Sequence, residues 1–163
     1  MLGSFSVGKT SLVKRYVSSL FDEKYHTTIG VKIDKKQVSV EGQELTLMLW
    51  DIAGEDAFFT IRPAHLRGMA GAVIVIDGTR ESSFDVALSL YQMLTGLPDG
   101  QVPVCFALNK ADLTDQWIID DEKMQVLEKT GCEIVETSAL ENRGVDEVFQ
   151  SLAGQILCMK QAV

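Results

Sequence analysis

Two periods of apolar residues alternate along this chain, and they predict helices and strands in turn. Apolar residues recur at helical spacing in four segments: 9–20, 82–94, 120–131 and 144–160. Alternating or continuous apolar runs, which are typical of strands, occur in five others: 31–40, 45–52, 71–78, 102–110 and 132–139. Strands and helices in this order predict an α/β fold with a mostly parallel sheet.

The details of the pattern predict how some of these elements begin and end. The run 31–40 shifts its alternation between Ile33 and Val38, which predicts a bulge or an exposed edge. The sequence EGQE at 41–44 predicts a hairpin turn, so we expect one antiparallel edge strand. Ser82 or Ser83 is the predicted amino-terminal cap of the helix that follows the third strand.

Composition is that of an ordinary globular protein. The 163 residues suit one domain, 1–163, with 46% of residues apolar and 23% charged. A net charge of −8 argues against a broad surface for nucleic acid or anionic membrane. The three cysteines lack metal-site spacing, and Cys105 in VPVCFAL is predicted to be a buried thiol. With no apolar run of roughly 20 residues, we expect a cytoplasmic protein.

A phosphate-binding motif stands at the start of the chain. The stretch GSFSVGKT, residues 3–10, fits the pattern G-x-x-x-x-G-K-[ST] directly before a predicted helix. In such a loop the backbone N–H groups point at phosphate oxygens, and the helix dipole adds to the attraction. Lys9 would reach the β- and γ-phosphates, and the Thr10 hydroxyl would bind Mg²⁺.

A second motif, NKAD at 109–112, ends a predicted buried strand. The Asp112 carboxylate can accept two hydrogen bonds from the N–H edge of guanine, whereas adenine offers no such pair. Asn109 can join this loop to neighbouring backbone, and the Lys110 stem can lie along the base. Alone, the tetrapeptide fits a polar strand end before a helix cap equally well. Ligands of open α/β sheets bind at the carboxyl ends of strands, where DIAGED, NKAD and ETSA all fall.

The whole chain resembles the small GTPases of the Ras superfamily, most nearly the Rab-like branch with its prokaryotic members. Five motifs occur in the family's order: GSFSVGKT, TTIG, WDIAGED, NKAD and ETSA. The resemblance implies a P-loop NTPase fold, a three-layer sandwich. It also implies a GTPase that uses Mg²⁺, with a protein effector, an activating protein and an exchange factor as partners.

Site residues follow from the same resemblance. It implies metal binding by Thr10, Thr28 and Asp51, and catalytic roles for Lys9, Thr28, Gly54 and Glu55. Phe21 stands where the family places a ring against the base, although a core position after the first helix is the alternative. Ala139 should offer its N–H to the guanine oxygen, with Ser138 shaping the turn. The implied nucleotide-binding positions are Gly3, Ser6, Val7, Gly8, Lys9, Thr10, Ser11, Phe21, Thr28, Asp51, Gly54, Asn109, Lys110, Asp112, Ser138, Ala139 and Leu140.

Two residues depart from the family pattern near the γ-phosphate. Phe5 takes a position that is usually small, and it would either obstruct the attacking water or point outward onto the second switch. Glu55 replaces a glutamine that orients this water, and a carboxylate adds like charge unless burial raises its pKa. We expect unaided hydrolysis no faster than roughly 10⁻⁴ per second. The alternative is a non-cycling interaction module whose chemistry Phe5 and Glu55 have disabled.

A third departure concerns the strand that carries the phosphate loop. Only Met1 and Leu2 precede the loop, whereas the family has a central parallel strand there. A sheet without that strand would have unpaired backbone groups on both sides of a gap, and a monomer of this kind should be unstable. We therefore expect further residues upstream, with a strand from a partner chain as the less favoured alternative.

The remaining features favour simpler interpretations. Arg62 and Arg67 follow the second switch, where packing is favoured over an internal arginine finger. His26 and His65 have no metal partner in the sequence. Cys158 is not in a prenylation position, so we expect no direct membrane anchor. By family analogy an effector would contact Ile29, Gly30 and Trp50. A P-loop ATPase or small-molecule kinase remains as a rival that NKAD disfavours.

Overall fold

The computed structural model describes residues 1–19, 30–52, 66, 68–97 and 102–161. The described strands are β1 (Val31–Val40), β2 (Gln43–Ile52), β3 (Ala72–Asp77), β4 (Val104–Asn109) and β5 (Glu133–Glu136). The described helices are α1 (Lys9–Ser18), α2 (Glu81–Thr95), α3 (Asp121–Glu128) and α4 (Val145–Gln161), with a short 3₁₀ turn at Thr114–Gln116. None of these helices meets the length and apolarity that a bilayer span requires.

The strands form two sheets. β3, β4 and β5 are parallel in that order, and every residue of β3 and β4 is buried. Helices α1 and α4 cover one face, where the Tyr16 and Phe149 rings stack with centroids 4.1 Å apart. Helix α2 covers the other face through Phe84, Ala87 and Leu90. This confirms the predicted α/β, three-layer architecture.

The second sheet is the antiparallel hairpin β1–β2. Its ladder runs without interruption from Val31 opposite Ile52 to Val40 opposite Gln43. Of the two predicted alternatives, the bulge is absent from this ladder and the exposed edge is confirmed, since among the described residues β1 pairs only with β2. The shift in apolar alternation arises because Ile33 points to the exposed face, whereas Val38 and Val40 point into the core.

The predicted cap of α2 was also wrong. The helix begins at Glu81 with Arg80 as its cap residue, and Ser83 lies inside the first turn, fully buried. The Ser83 hydroxyl has the Arg80 carbonyl at 2.7 Å and the Asp77 carbonyl at 3.0 Å as acceptors for its single proton, and it accepts from the Asp77 N–H, so it joins the helix to the end of β3. A hydroxyl used in this way is not free to cap the helix.

Met1 and Leu2 lie between the two sheets. Leu2 pairs with Ile74 of β3 in parallel, through hydrogen bonds of 2.9 Å to the Val73 carbonyl and 2.8 Å from the Val75 N–H. The Met1 amino group donates to the Trp50 carbonyl of β2 at 2.7 Å. A groove of about 380 Å³ opens beside them, with β2 as one wall, residues 68–73 as the other and α4 as its floor. Among the described residues, Leu2 alone pairs with β3 on this side.

Candidate nucleotide-binding site

The phosphate loop leads from Leu2 into α1, and its two motif glycines have separate geometric reasons. Gly3 has φ +141°, and a Cβ there would lie 2.5 Å from the Val75 carbonyl oxygen. Gly8 has φ +100°, and a Cβ there would lie 2.2 Å from the Asn109 amide nitrogen. Both positions combine a backbone conformation that suits glycine with a close approach by a neighbouring segment. The loop therefore packs against the ends of β3 and β4.

The Lys9 side chain folds back over the phosphate loop and binds its first residues. Its ammonium group donates to the carbonyls of Gly3 at 2.9 Å and Ser4 at 2.8 Å, and its side chain is buried. Burial lowers the pKa of Lys9 to about 8, although Asp51 raises it, and Arg80 lowers it further. A phosphate anion beside this ammonium would favour its charged form.

Thr10 and Asp51 come together beside Lys9. The Thr10 hydroxyl donates to Asp51 Oδ2 at 2.5 Å, and Asp51 is buried at the end of β2. A hydroxyl and a carboxylate are oxygen donors of the kind that Mg²⁺ prefers, so these two residues fit the implied metal. The third predicted ligand, Thr28, lies outside the described residues. The described part contains no group of three or more His, Cys, Asp or Glu that could hold a metal by itself.

Asn109 joins the phosphate loop to the guanine motifs. Its buried amide donates to the Val7 carbonyl at 2.8 Å. Its oxygen accepts from the Thr137 hydroxyl at 3.2 Å and the Ala139 N–H at 3.3 Å. The structure thus confirms the expectation that Asn109 binds neighbouring backbone. The Ala139 N–H, which we expected to face the guanine oxygen, is directed at the Asn109 side-chain oxygen.

Asp112 is held by Ser138. The Ser138 hydroxyl donates to Asp112 Oδ1 at 2.5 Å and accepts from the Glu141 N–H at 3.0 Å. Backbone hydrogen bonds of 3.0 Å in both directions between Ser138 and Arg143 close the turn that follows β5. From α1, Arg15 donates to the carbonyls of Ala139 and Leu140. The candidate guanine-binding carboxylate is therefore fixed by the segment that the ETSA motif supplies.

Asp77 belongs to the same corner, and the sequence analysis missed it. It ends β3 opposite Asn109, and its nearly buried carboxylate lies 2.6 Å from the Lys110 ammonium. Burial acts to raise the pKa of Asp77, but hydrogen bonds from Lys110 and Thr79 outweigh it and hold the pKa below its ordinary value. A charged residue that ends the apolar run AVIVI is a signal that could have identified it.

Other predicted residues divide between the described and undescribed parts of the chain. Ser6, with φ +60°, lies in the phosphate loop, and Ser11 lies in the first turn of α1. Phe5 is half-buried, and its carbonyl accepts a hydrogen bond from Arg80. Gly30 and Trp50 are exposed, as an effector surface requires. The predicted residues that lie outside the described part are Phe21, His26, Thr28, Ile29, Gly54, Glu55, Arg62, His65 and Arg67.

Known proteins similar to this chain are Ras-related proteins. The family model described as "Ras family" matches residues 1–158. Ras-related protein Rab-21 of Geodia cydonium is 34% identical over 158 residues, which cover 96% of this chain and 69% of that protein. Ras-related protein RABA2c of Arabidopsis thaliana is 34% identical over 157 residues, covering 96% and 72%. Rab-21 of Mus musculus is 32% identical over 158 residues, covering 96% and 71%.

The matched span includes the phosphate loop, Asp51, Asn109 with Asp112, and the Ser138 turn. These are the segments that the fold brings to the carboxyl end of the parallel sheet. The chain belongs to the Ras family and is a Rab-like small GTPase.

Proposed function

We propose that this GTPase is a slow molecular switch that holds GTP or GDP together with Mg²⁺ in one domain, 1–163. The observation that supports this most strongly is the position of Asn109. Its side chain binds both the phosphate loop and the segment 137–139, so the phosphate-binding and base-binding motifs form one connected unit. A nucleotide that lay across this unit would contact both ends of it at once.

Each part of the unit has a role in this proposal. The N–H groups of the loop between Gly3 and Gly8 bind the phosphates with Lys9, and Asp112 selects guanine with the Lys110 stem beside the base. Thr10, Asp51 and Thr28 would hold Mg²⁺, which supplies charge compensation for the β- and γ-phosphates. Phe21, Ser138, Ala139 and Leu140 complete the base pocket.

Switching would follow from contacts that depend on the γ-phosphate. Thr28 and Gly54 would make these contacts in the GTP state and lose them after hydrolysis. The segments around them would therefore be ordered when GTP is bound and released when GDP is bound. The exposed Trp50 and Gly30, together with Ile29, would then form a surface that an effector protein recognises only in one state. An activating protein and an exchange factor would set the rates of the two transitions.

Guanine selection can be tested with Asp112→Asn. This variant loses the carboxylate that pairs with the guanine N–H groups, so GDP affinity should fall about a hundredfold and xanthosine diphosphate should become the better ligand. Asp115→Asn is the matched control, because Asp115 is exposed three residues further along and should leave both affinities unchanged. Competition against a fluorescent GDP measures all four values. Unaltered base preference in Asp112→Asn would support the ATPase alternative instead.

Slow hydrolysis needs a separate experiment. Single-turnover GTP hydrolysis with Mg²⁺ is compared between the wild-type protein and Glu55→Gln, after the bound nucleotide of each preparation has been determined. We expect the glutamine variant to be clearly faster, because its amide can orient the water without adding like charge. A wild-type protein that hydrolyses readily and loses activity as Glu55→Gln would show that the carboxylate takes part in catalysis. If neither protein hydrolyses GTP, the chain is a non-cycling module.

A further inference from the structure

Arg80 lies outside all five motifs, yet its side chain reaches the phosphate loop. It immediately precedes α2, 75 residues beyond Phe5 in the chain. One guanidinium nitrogen donates to the Phe5 carbonyl and lies 3.4 Å from the Ser4 hydroxyl. The Nε atom of the same group is buried and has no hydrogen bond within the described part of the chain. The cation is thus directed at the loop rather than at solvent.

Arg80 contacts the loop where both its sequence and its backbone conformation are unusual. Phe5 replaces a small residue of the family pattern, and Ser6 has φ +60°, a left-handed conformation that residues other than glycine, asparagine and aspartate seldom adopt. The peptide group between these two residues must therefore be turned in an uncommon direction. Arg80 binds the carbonyl of that peptide group, and a charge-assisted hydrogen bond is stronger than a neutral one.

Arg80 and Lys9 approach the same residue of the loop, Ser4. The Lys9 ammonium binds the Ser4 carbonyl at 2.8 Å, while Arg80 approaches the hydroxyl of the same residue. Two cations therefore converge on residues 3–5 from different elements, α1 and the start of α2. Their repulsion is unfavourable unless an anion is close to both, and the low dielectric of a partly buried site increases that effect.

We propose that Arg80 is a positioning residue for the phosphate loop, and that it favours a nucleotide that carries a γ-phosphate. It does so by fixing the Phe5–Ser6 peptide group and by adding positive charge on the side of the loop where Phe5 lies. This inference depends on the proposed nucleotide-binding function. Arg80 would make the site bind a nucleoside triphosphate more tightly than a diphosphate, and it would do so through the loop rather than by touching the nucleotide.

The test compares two nucleotides on the same variants. Dissociation of a fluorescent GDP and of a fluorescent, non-hydrolysable GTP analogue is followed by stopped flow, with Mg²⁺ in excess. In Arg80→Met the analogue should dissociate on the order of tenfold faster, while GDP should change about twofold or less. Glu81→Gln is the matched control, since Glu81 is the exposed neighbour that pairs with Lys123 and does not contact the loop. It should leave both rates unchanged.

Two further variants keep the outcome clear. Arg80→Gln removes the charge but keeps a polar group, so it should show the same triphosphate-specific loss even if Arg80→Met does not fold. Arg80→Lys keeps the charge and should recover part of the loss. Equal acceleration of both nucleotides, or none, in the folded uncharged variants would overturn the proposal. Failure of the wild-type protein to bind either nucleotide would instead contradict the proposed function itself.

Discussion

The parallel sheet β3–β4–β5 and the hairpin β1–β2 are built differently. Every residue of β3 and β4 is buried, and helices cover both faces of that sheet. The hairpin alternates, and its outer face exposes Ile33, Met48 and Trp50. Met1 and Leu2 lie between the two sheets and bind both of them. One region is therefore a closed core, while the other is a half-covered ribbon beside it.

This difference separates the two halves of the candidate site. Asn109 ends β4, Lys110 and Asp112 follow it, and Ser138 follows β5, so these residues of the base-binding half are positioned by the closed core. The phosphate loop is anchored to the same core through Leu2 and Asn109. The hairpin contributes Asp51, a metal ligand in our proposal. The metal side of the site is thus the part that depends on how the ribbon is attached.

The largest expected effect is in the core of the parallel sheet. Phe106 is fully buried in β4, so Phe106→Ala should lower the free energy of unfolding by about 3–5 kcal/mol. Leu47 is only partly buried in β2, so Leu47→Ala should cost less than about 2 kcal/mol. Urea denaturation followed by circular dichroism measures both values. Equal losses would show that the hairpin is packed as tightly as the core.

An intermediate effect is expected where the two regions meet. Leu2 is 2% exposed, so Leu2→Ala should lower the free energy of unfolding by about 2–3 kcal/mol. It should also weaken GDP binding, because the phosphate loop begins at the next residue. Met159→Ala, at an exposed position of α4, is the control and should stay within about 0.5 kcal/mol of wild type. Loss of stability with unchanged GDP affinity would mean that contacts other than the pairing of Leu2 with β3 position the loop.

The smallest expected effect depends on pH. The pKa of Asp77 is held below its ordinary value of 3.8 in the folded protein, so its contribution to stability is complete above that value and is lost as pH falls through the folded pKa. Asp77→Asn should therefore cost about 1–2 kcal/mol at pH 7, because Lys110 loses its partner, and this difference should shrink below pH 3.8. Urea denaturation at several pH values provides the measurement. A difference that is constant with pH would rule out the ion pair as its cause.

Local patterns predicted the elements well and the tertiary contacts poorly. The apolar run AVIVI identified β3 because burial on both faces leaves a continuous signal in the sequence. The alternation in β1 left a bulge and an exposed edge open, and only the folded structure shows an unbroken ladder with Ile33 on its exposed face. Asp77 and Arg80 were not identified as site residues. Their partners, Lys110 and Phe5, are distant in the chain, so only the folded structure brings them together.

The motif residues were easier to predict because their spacing is set by a ligand. Gly3 and Gly8 match this pattern. The close approach of Val75 to Gly3 and of Asn109 to Gly8, which explains why glycine is needed there, is visible only in the folded structure. The serine cap of α2 shows the opposite case. Ser83 has the right residue type at the right place, but its hydroxyl binds the end of β3. A side chain with two possible local roles cannot be assigned from sequence alone.

The central claim is that the unit joined by Asn109 binds a guanine nucleotide, and the most direct measurement is the nucleotide preference of the wild-type protein. Purified protein is freed of bound nucleotide, loaded with fluorescent GDP in the presence of Mg²⁺, and challenged with unlabelled GDP, GTP and ATP. We predict that GDP and GTP displace the label at similar low concentrations, while ATP fails to do so at a thousandfold excess, on the order of the discrimination expected of a site built to hydrogen-bond its ligand. Displacement by ATP at concentrations close to those of GDP would contradict the account.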